Sequence, residues 1–322
     1  MAETQQLPPD AQLLQALFGF MVTRSVSAVA ELDVANALAD GPLYYADLAS
    51  AVGADQRSLY RVMRLLVSIG MFAEPEPGTF SLTPVSDLLR SDHPNSMRDL
   101  AVMLTSESHW LPWGRFTDTL RSGKSGPQHA FGTDIFSWFQ GVENQEQWQL
   151  FNAAMTSFSS MTSNAVVDAY DFSRFKRIVD IGGGHGFLLK AALSGAPNAR
   201  GVLFDLPGVT SGLSSDSLGD RIEPVGGDFF EAVPPDGDCY TMQHILHDWS
   251  DDHCRTLLGN IVRVMDPEGT VLVVETVMPG TPEPHPAKFM DVNMLAMTEG
   301  GTERTEREFA ELFESAGLRL TA

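Results

Sequence analysis

Cysteine is nearly absent from this 322-residue chain; Cys239 and Cys254 are the only two. Two thiols cannot make a disulfide framework, and the composition fits a reducing cytoplasm. Basic residues are scarce as well, 21 Lys and Arg against 42 Asp and Glu, for a formal net charge of −21. A surface of that sign repels phosphate polymers and anionic lipid, so neither nucleic acid nor membrane is expected as a partner. Uninterrupted apolar runs are short, as at Val271–Val274, and none approaches the length of a membrane span. The first ten residues are polar and acidic, without the basic and apolar segments of a signal peptide. What remains is a chain 43% hydrophobic and 20% charged, long enough for two globular domains and expected in the cytoplasm.

From Ala11 to Ala39 apolar residues recur at helical spacing on both faces, until Gly41-Pro42 ends the run. Two further helical segments, Ala46–Gly53 and Asp55–Leu66, precede a short hairpin around Gly78. Helix, turn, helix and hairpin together predict a winged helix. Arg57, Arg61 and Arg64 fall on its second helix, as in a DNA reader. The acidic balance of the chain favours the other use of such a module, assembly into a dimer. Residues 1–105 are assigned to this domain. Residues 106–170 are expected to form a helical, aromatic-rich connection contributing to a substrate pocket, and residues 171–322 a ligand-binding domain.

That last domain opens on Val179-Asp180-Ile181-Gly182-Gly183-Gly184-His185-Gly186, an apolar strand running into a glycine turn and a helix. A dinucleotide fingerprint requires a glycine where this chain has Phe187 or Leu189. Strands and helices alternate after it, as in a doubly wound sheet. Asp205 ends the second strand, 23 residues beyond Gly182, where a carboxylate reaches ribose hydroxyls. Asp228-Phe229 follows the third strand with an acceptor and a flat apolar face for a base, and Gln243 brings an amide to the same rim. His247 comes just after the fourth strand, and its intrinsic pKa near 6.5 suits proton removal from a hydroxyl near neutrality. Ser250 with Asp251 and Asp252 predicts a helix start. His244 and His247 lie three apart, but no matching ligand set accompanies them in the sequence, so no metal is predicted.

Asp-x-Gly-x-Gly-x-Gly resembles motif I of the class I S-adenosylmethionine-dependent methyltransferases. Joined by Leu203–Pro207, Gly227–Phe230, Leu246–Asp251, Val274-Glu275 and Gly300–Thr305, it makes nearly the whole chain resemble one family. These are the metal-independent small-molecule O-methyltransferases of the plant caffeate and flavonoid type and of bacterial natural-product pathways. The resemblance implies an α/β fold: a Rossmann-like doubly wound sheet with an N-terminal α-helical, winged-helix-like dimerisation domain that makes a homodimer. It implies S-adenosylmethionine as cofactor, S-adenosylhomocysteine as product, and a small aromatic or polyketide-like acceptor. Asp180, Gly182, Gly184, Asp205, Leu206, Asp228, Phe229, Gln243 and Trp249 would then serve the cofactor; the family often has lysine at the Gln243 position. His247 would be the general base, with Glu275 and Glu303 flanking the imidazole to hold its tautomer. Phe151, Met155, Asp248, Met294 and Thr298 would line the acceptor site. N-methylation, an atypical hydroxylase or decarboxylase on the same fold, and a DNA-binding regulator are the alternatives. Family members usually add one more strand beyond Ala322, completing a terminal hairpin.

Overall fold

The computed structural model describes residues 7–321. The chain divides into two compact units: one runs to His109 and takes back Gln149–Ser157, and the other comprises Trp110–Trp148 and everything from Phe158 onward. The helix Gln145–Ala169 contributes residues to each of them.

In the first unit the opening helical run stops earlier than its periodicity predicts. Helix Pro9–Glu31 ends at Leu32, Asp33 takes a left-handed φ of 56°, and a separate turn of helix follows at Val34–Ala37. Aspartate is one of the few side chains that tolerates this region, and the break turns the chain well before Gly41-Pro42. Helices Tyr45–Ala51 and Gln56–Ser68 follow, the second started by Asp55, whose carboxylate accepts from Ser58 N–H at 2.9 Å. Its buried Leu59, Met63 and Leu66 form one face of that helix. Strands β1 (Leu43–Tyr44), β2 (Ala73–Glu76) and β3 (Thr79–Ser81) pair antiparallel in the order β1-β3-β2, and Gly78 turns the β2–β3 wing with φ 77°. This is a winged helix. Helix Pro9–Glu31 leaves Leu13, Leu17, Phe18, Phe20 and Met21 exposed. Its mean hydropathy of 1.5 makes it long and apolar enough, by length and composition, to cross a membrane, which the short apolar runs do not foretell.

The second unit is built on five parallel strands: β4 (Arg177–Ile181), β5 (Arg200–Asp205), β6 (Ile222–Gly226), β7 (Cys239–Gln243) and β8 (Thr270–Val274). Their order is β6-β5-β4-β7-β8. Central β4 is covered on both faces, as a parallel strand must be, with Ile178, Val179 and Ile181 fully buried. Helix Asp251–Val264 begins where Ser250 accepts from His253 N–H, carries Asp251 and Asp252 in its first turn, and buries Cys254, Leu257, Leu258 and Ile261 against the sheet core. Helix Glu306–Ser315 starts with a reciprocal Thr305–Glu308 capping box and adds Phe309, Leu312 and Phe313 to that core. β8 stops at Val274, and among the described residues no strand follows it. Strand order reverses between β4 and β7, so the carboxyl ends of these strands form the crevice where ligands bind in open α/β sheets.

Candidate active site

The glycine turn closes over the end of β4 because side chains at Gly182 and Gly186 would collide with Ile245 and Leu203. Gly182 has φ 66°, and a Cβ on it would stand 2.3 Å from Ile245 Cδ1; Gly186, at φ 75°, starts the helix Phe187–Gly195. Asp205 ties the turn to β5: its Oδ2 accepts from Gly184 N–H at 2.8 Å and its Oδ1 from Leu206 N–H at 2.7 Å. Burial raises the Asp205 carboxyl against those two donors. Each of its oxygens keeps acceptor capacity, which fits a ribose diol. Asp180 lies beneath the turn and not in the crevice. It is 2% exposed, its Oδ1 accepts from Thr241 Oγ1 at 2.6 Å, and burial pushes it up to about 7 with Thr241 opposing. Its part is to support the loop from below.

Asp228 is exposed and accepts from Phe230 N–H at 2.8 Å. Phe229 meets Trp249 edge-on at 5.9 Å, and Phe136 stacks on the same indole at 5.5 Å. The result is an apolar corner around Trp249. Gln243, at the end of β7, turns its amide toward the helix Gln145–Ala169, donating to Ser159 O at 3.4 Å and to Thr162 Oγ1 and accepting from Ser163 Oγ at 3.4 Å. A lysine there would lose the contact with Ser163, whose hydroxyl also donates to Ser159 O at 2.8 Å.

His247 stands on the short turn Leu246–Asp248 that follows β7, 7% exposed. Its Nδ1 lies 2.8 Å from Glu303 Oε1. An ionised carboxylate only accepts, so Nδ1 carries the proton and Nε2 is left for chemistry. The sequence expectation that Glu275 also holds the ring changes with the geometry. Glu275 Oε1 accepts from the backbone N–H groups of Ile245 at 3.0 Å, Leu246 at 2.8 Å and His247 at 3.4 Å, while its Oε2 stays 3.7 Å from Nδ1. The end of β8 explains this, since Glu275 is released from the ladder next to the turn leaving β7. Glu303 orients the ring, and Glu275 holds the backbone that carries it.

Burial opposes charge on His247, but Asp248, then Glu303 and Glu275, outweigh it and hold the imidazole up at about 9. Asp248 Oδ1 lies 3.7 Å from Nε2. Burial raises Asp248 to about 6, with His247 pulling the other way. For Glu275, burial would raise the carboxyl, and His244 and His247 together bring it below its ordinary value.

Arg304 was not legible as a site residue. It is 2% exposed; Nη1 donates to Leu246 O and Nη2 to Trp249 O, each at 2.8 Å, and the guanidinium pairs with Asp251 at 2.8 Å. The Glu303-Arg304 pair therefore orients the imidazole with one side chain and clamps its turn with the other. Asp291 Oδ1 holds this segment in turn, accepting from Glu303 N–H and Thr302 Oγ1 at 2.9 Å each. Only an arginine following a site glutamate could have signalled it. Met294 and Thr298 are buried in the second unit, Thr298 donating to Met294 O at 2.9 Å. Phe151 and Met155, both half-buried, lie on the stretch of helix that belongs to the first unit.

Two family profiles match the chain: an O-methyltransferase dimerisation domain over residues 14–92 and an O-methyltransferase domain over residues 113–319. Phenazine O-methyltransferase PhzM of Lysobacter antibioticus is 41% identical over 318 residues, 98% of this chain and 92% of that protein. The 8-amino-8-demethylriboflavin N,N-dimethyltransferase of Streptomyces davaonensis is 33% identical, over 97% of this chain and 92% of its own length. The solved structure of CalO1, a methyltransferase in calicheamicin biosynthesis in its S-adenosylhomocysteine-bound form, superposes with a TM-score of 0.85 at 33% identity, covering 99% of this chain and 95% of that one.

Proposed function

The chain belongs to the S-adenosylmethionine-dependent small-molecule O-methyltransferases, and we propose that it methylates a phenolic hydroxyl of an aromatic secondary metabolite with His247 as general base. The observation that carries this reading is the 2.8 Å bond from His247 Nδ1 to Glu303, which fixes the tautomer and leaves Nε2 to receive a proton. When bound, S-adenosylmethionine supplies a methyl group already activated by a positive sulfur. The residues therefore have two tasks, alignment and proton removal. Gly182, Gly184, Asp205 and Leu206 offer backbone approach and a carboxylate to the nucleoside, and Asp228, Phe229 and Trp249 an acceptor and an apolar corner to the adenine. Phe151, Met155, Asp248, Met294 and Thr298 are assigned to the acceptor. Alignment lowers the barrier more, by up to about 7–11 kcal/mol for well-oriented reactants. A positioned base adds on the order of 10²–10⁴ in rate.

Nitrogen is the second reading, favoured by the riboflavin-type N,N-dimethyltransferase among the relatives. A mass-spectrometric screen of phenols, hydroxylated polyketides and aromatic amines with S-adenosylmethionine separates the two. A phenol is expected to gain one methyl group; methylation confined to amines or ring nitrogens moves the assignment to nitrogen.

A second copy of the chain is the partner proposed for the exposed apolar face of Pro9–Glu31, which the dimerisation profile overlaps. Sedimentation at the mass of one chain would rule this out.

The acid groups around His247 set the pH profile. A base works only when neutral, so a pKa held at about 9 makes kcat/KM rise with pH into the alkaline range. Asp248 is the strongest of the charges that favour the imidazolium. Asp248→Asn removes it, so the imidazole loses its proton more readily and the rising limb moves to lower pH. A limb that stays in place or moves up would contradict this electrostatic account.

A further inference from the structure

Glu275 Oε2, His244 Nε2 and Glu303 Oε2 are buried atoms without a hydrogen-bond partner among the described residues, and they occur in one cluster. Glu275, whose side chain is 2% exposed, places Oε2 3.8 Å from His244 Nδ1 and 3.7 Å from His247 Nδ1. One ligand atom from each of these three residues lies within 4.8 Å of the other two. We propose that His244, His247 and Glu275 form a chelating site for a divalent transition metal of the zinc type, and that its occupation switches the base off. The sequence offered two histidines without a third donor; the end of β8 supplies it.

The donor set suits the ion. Zinc takes two imidazoles and a carboxylate at about 2.0–2.2 Å, which puts ligand atoms about 3.3–3.5 Å apart in a tetrahedral site. A contraction of a few tenths of an ångström brings Oε2 to that spacing from each Nδ1, and the two imidazoles close from within 4.8 Å of each other. The fourth position is left to water, as in zinc sites with three protein ligands.

The consequence follows from the tautomer. As the metal–Nδ1 bond forms, a neutral ring passes its Nδ1 proton to Nε2 by way of solvent, and an imidazolium releases its Nδ1 proton and keeps the one on Nε2. Neutral imidazole then keeps its one proton on Nε2, the nitrogen that would accept the hydroxyl proton. The methyl transfer itself remains metal-free, and the metal acts as a reversible inhibitor. The site rests on geometry alone, whereas inhibition also rests on reading His247 as the base. Thiol capture is not the route, because Cys239 and Cys254 are both buried and burial pushes both thiols up, Cys254 to about 11.

Untagged full-length protein is titrated with Co²⁺ and then Zn²⁺, alongside His244→Asn; asparagine tolerates the φ of 55° at this position. Wild type is expected to bind one equivalent of Co²⁺ with the visible bands of a four-coordinate ion. Those bands should vanish on addition of Zn²⁺, and Zn²⁺ should stop turnover until a chelator is added. His244→Asn is expected to bind either metal at least about 100-fold more weakly, beyond the 10–100-fold typical of losing an outer partner. Absence of a stoichiometric Co²⁺ band in wild type, or equal affinity in the variant, overturns the site. Binding without inhibition overturns the switch and locates the failure in the base assignment.

Discussion

His247→Ala is expected to lower kcat with a hydroxyl acceptor by about 10²–10⁴, while S-adenosylmethionine binds with an affinity within a few-fold of wild type. The two effects separate because the glycine turn and Asp205 are tied to each other, through Gly184 and Leu206, and not to the imidazole. Alanine removes the only nitrogen left free by the Glu303 bond, and it strands the Glu303 carboxylate, which is buried. His247→Asn is the companion variant, since its amide can donate to Glu303 yet cannot take a proton from the acceptor. Calorimetric titration of the cofactor and single-turnover kinetics on the acceptor give the two numbers independently. Wild-type kcat in both variants with a hydroxyl acceptor would remove His247 from the mechanism. The same outcome with a ring-nitrogen acceptor, which has no proton to lose, would instead assign the enzyme to nitrogen.

The parallel sheet was legible because each of its parts leaves a mark in residue type. β4 reads as an apolar run, the turn as glycines, and helix Asp251–Val264 as a serine followed by acids. His247 was legible for the same reason, being a titratable side chain just past a strand. What could not be read is carried by the backbone. Nothing in a glutamate tells whether it will face an imidazole or three amides, and Glu275 does the second because β8 ends at Val274. Arg304 gives half of its bonds to carbonyl oxygens, which every residue possesses and no pattern announces. The break at Asp33 was hidden because the apolar spacing continues across it, and Gly41-Pro42 offered a more obvious stop. Polar groups that meet only through folding, such as His244 and Glu275, carry no spacing signal at all.

Gly301→Ala is expected to lower kcat by about 10², roughly what a 1 Å misplacement of a catalytic group costs. Gly301 is not a left-handed glycine; what it provides is room. An added Cβ would lie 2.1 Å from Thr298 Oγ1, 2.5 Å from His247 O and 2.9 Å from Asp248 C. The threonine hydroxyl can rotate away, but the other two atoms are backbone of the turn that carries the base. Relief therefore has to push that turn and the 298–303 segment apart. Thr302 N–H donates to His247 O at 2.9 Å across this contact, and the next two residues are Glu303 and Arg304. Separation lengthens the Glu303 bond to Nδ1 and loosens the Arg304 clamp at the same time. Overpacking of this kind costs typically about 1–3 kcal/mol, so the melting temperature should fall by several degrees while the protein stays folded at 25 °C. Gly280→Ala is the control, because no atom lies within 4 Å of its added Cβ. Cofactor affinity should fall far less than kcat, since the three atoms nearest the added methyl group belong to Thr298, His247 and Asp248 and not to the glycine turn. If Gly301→Ala turns over like Gly280→Ala, the close fit of the Gly301 backbone beneath His247 is not what positions the base.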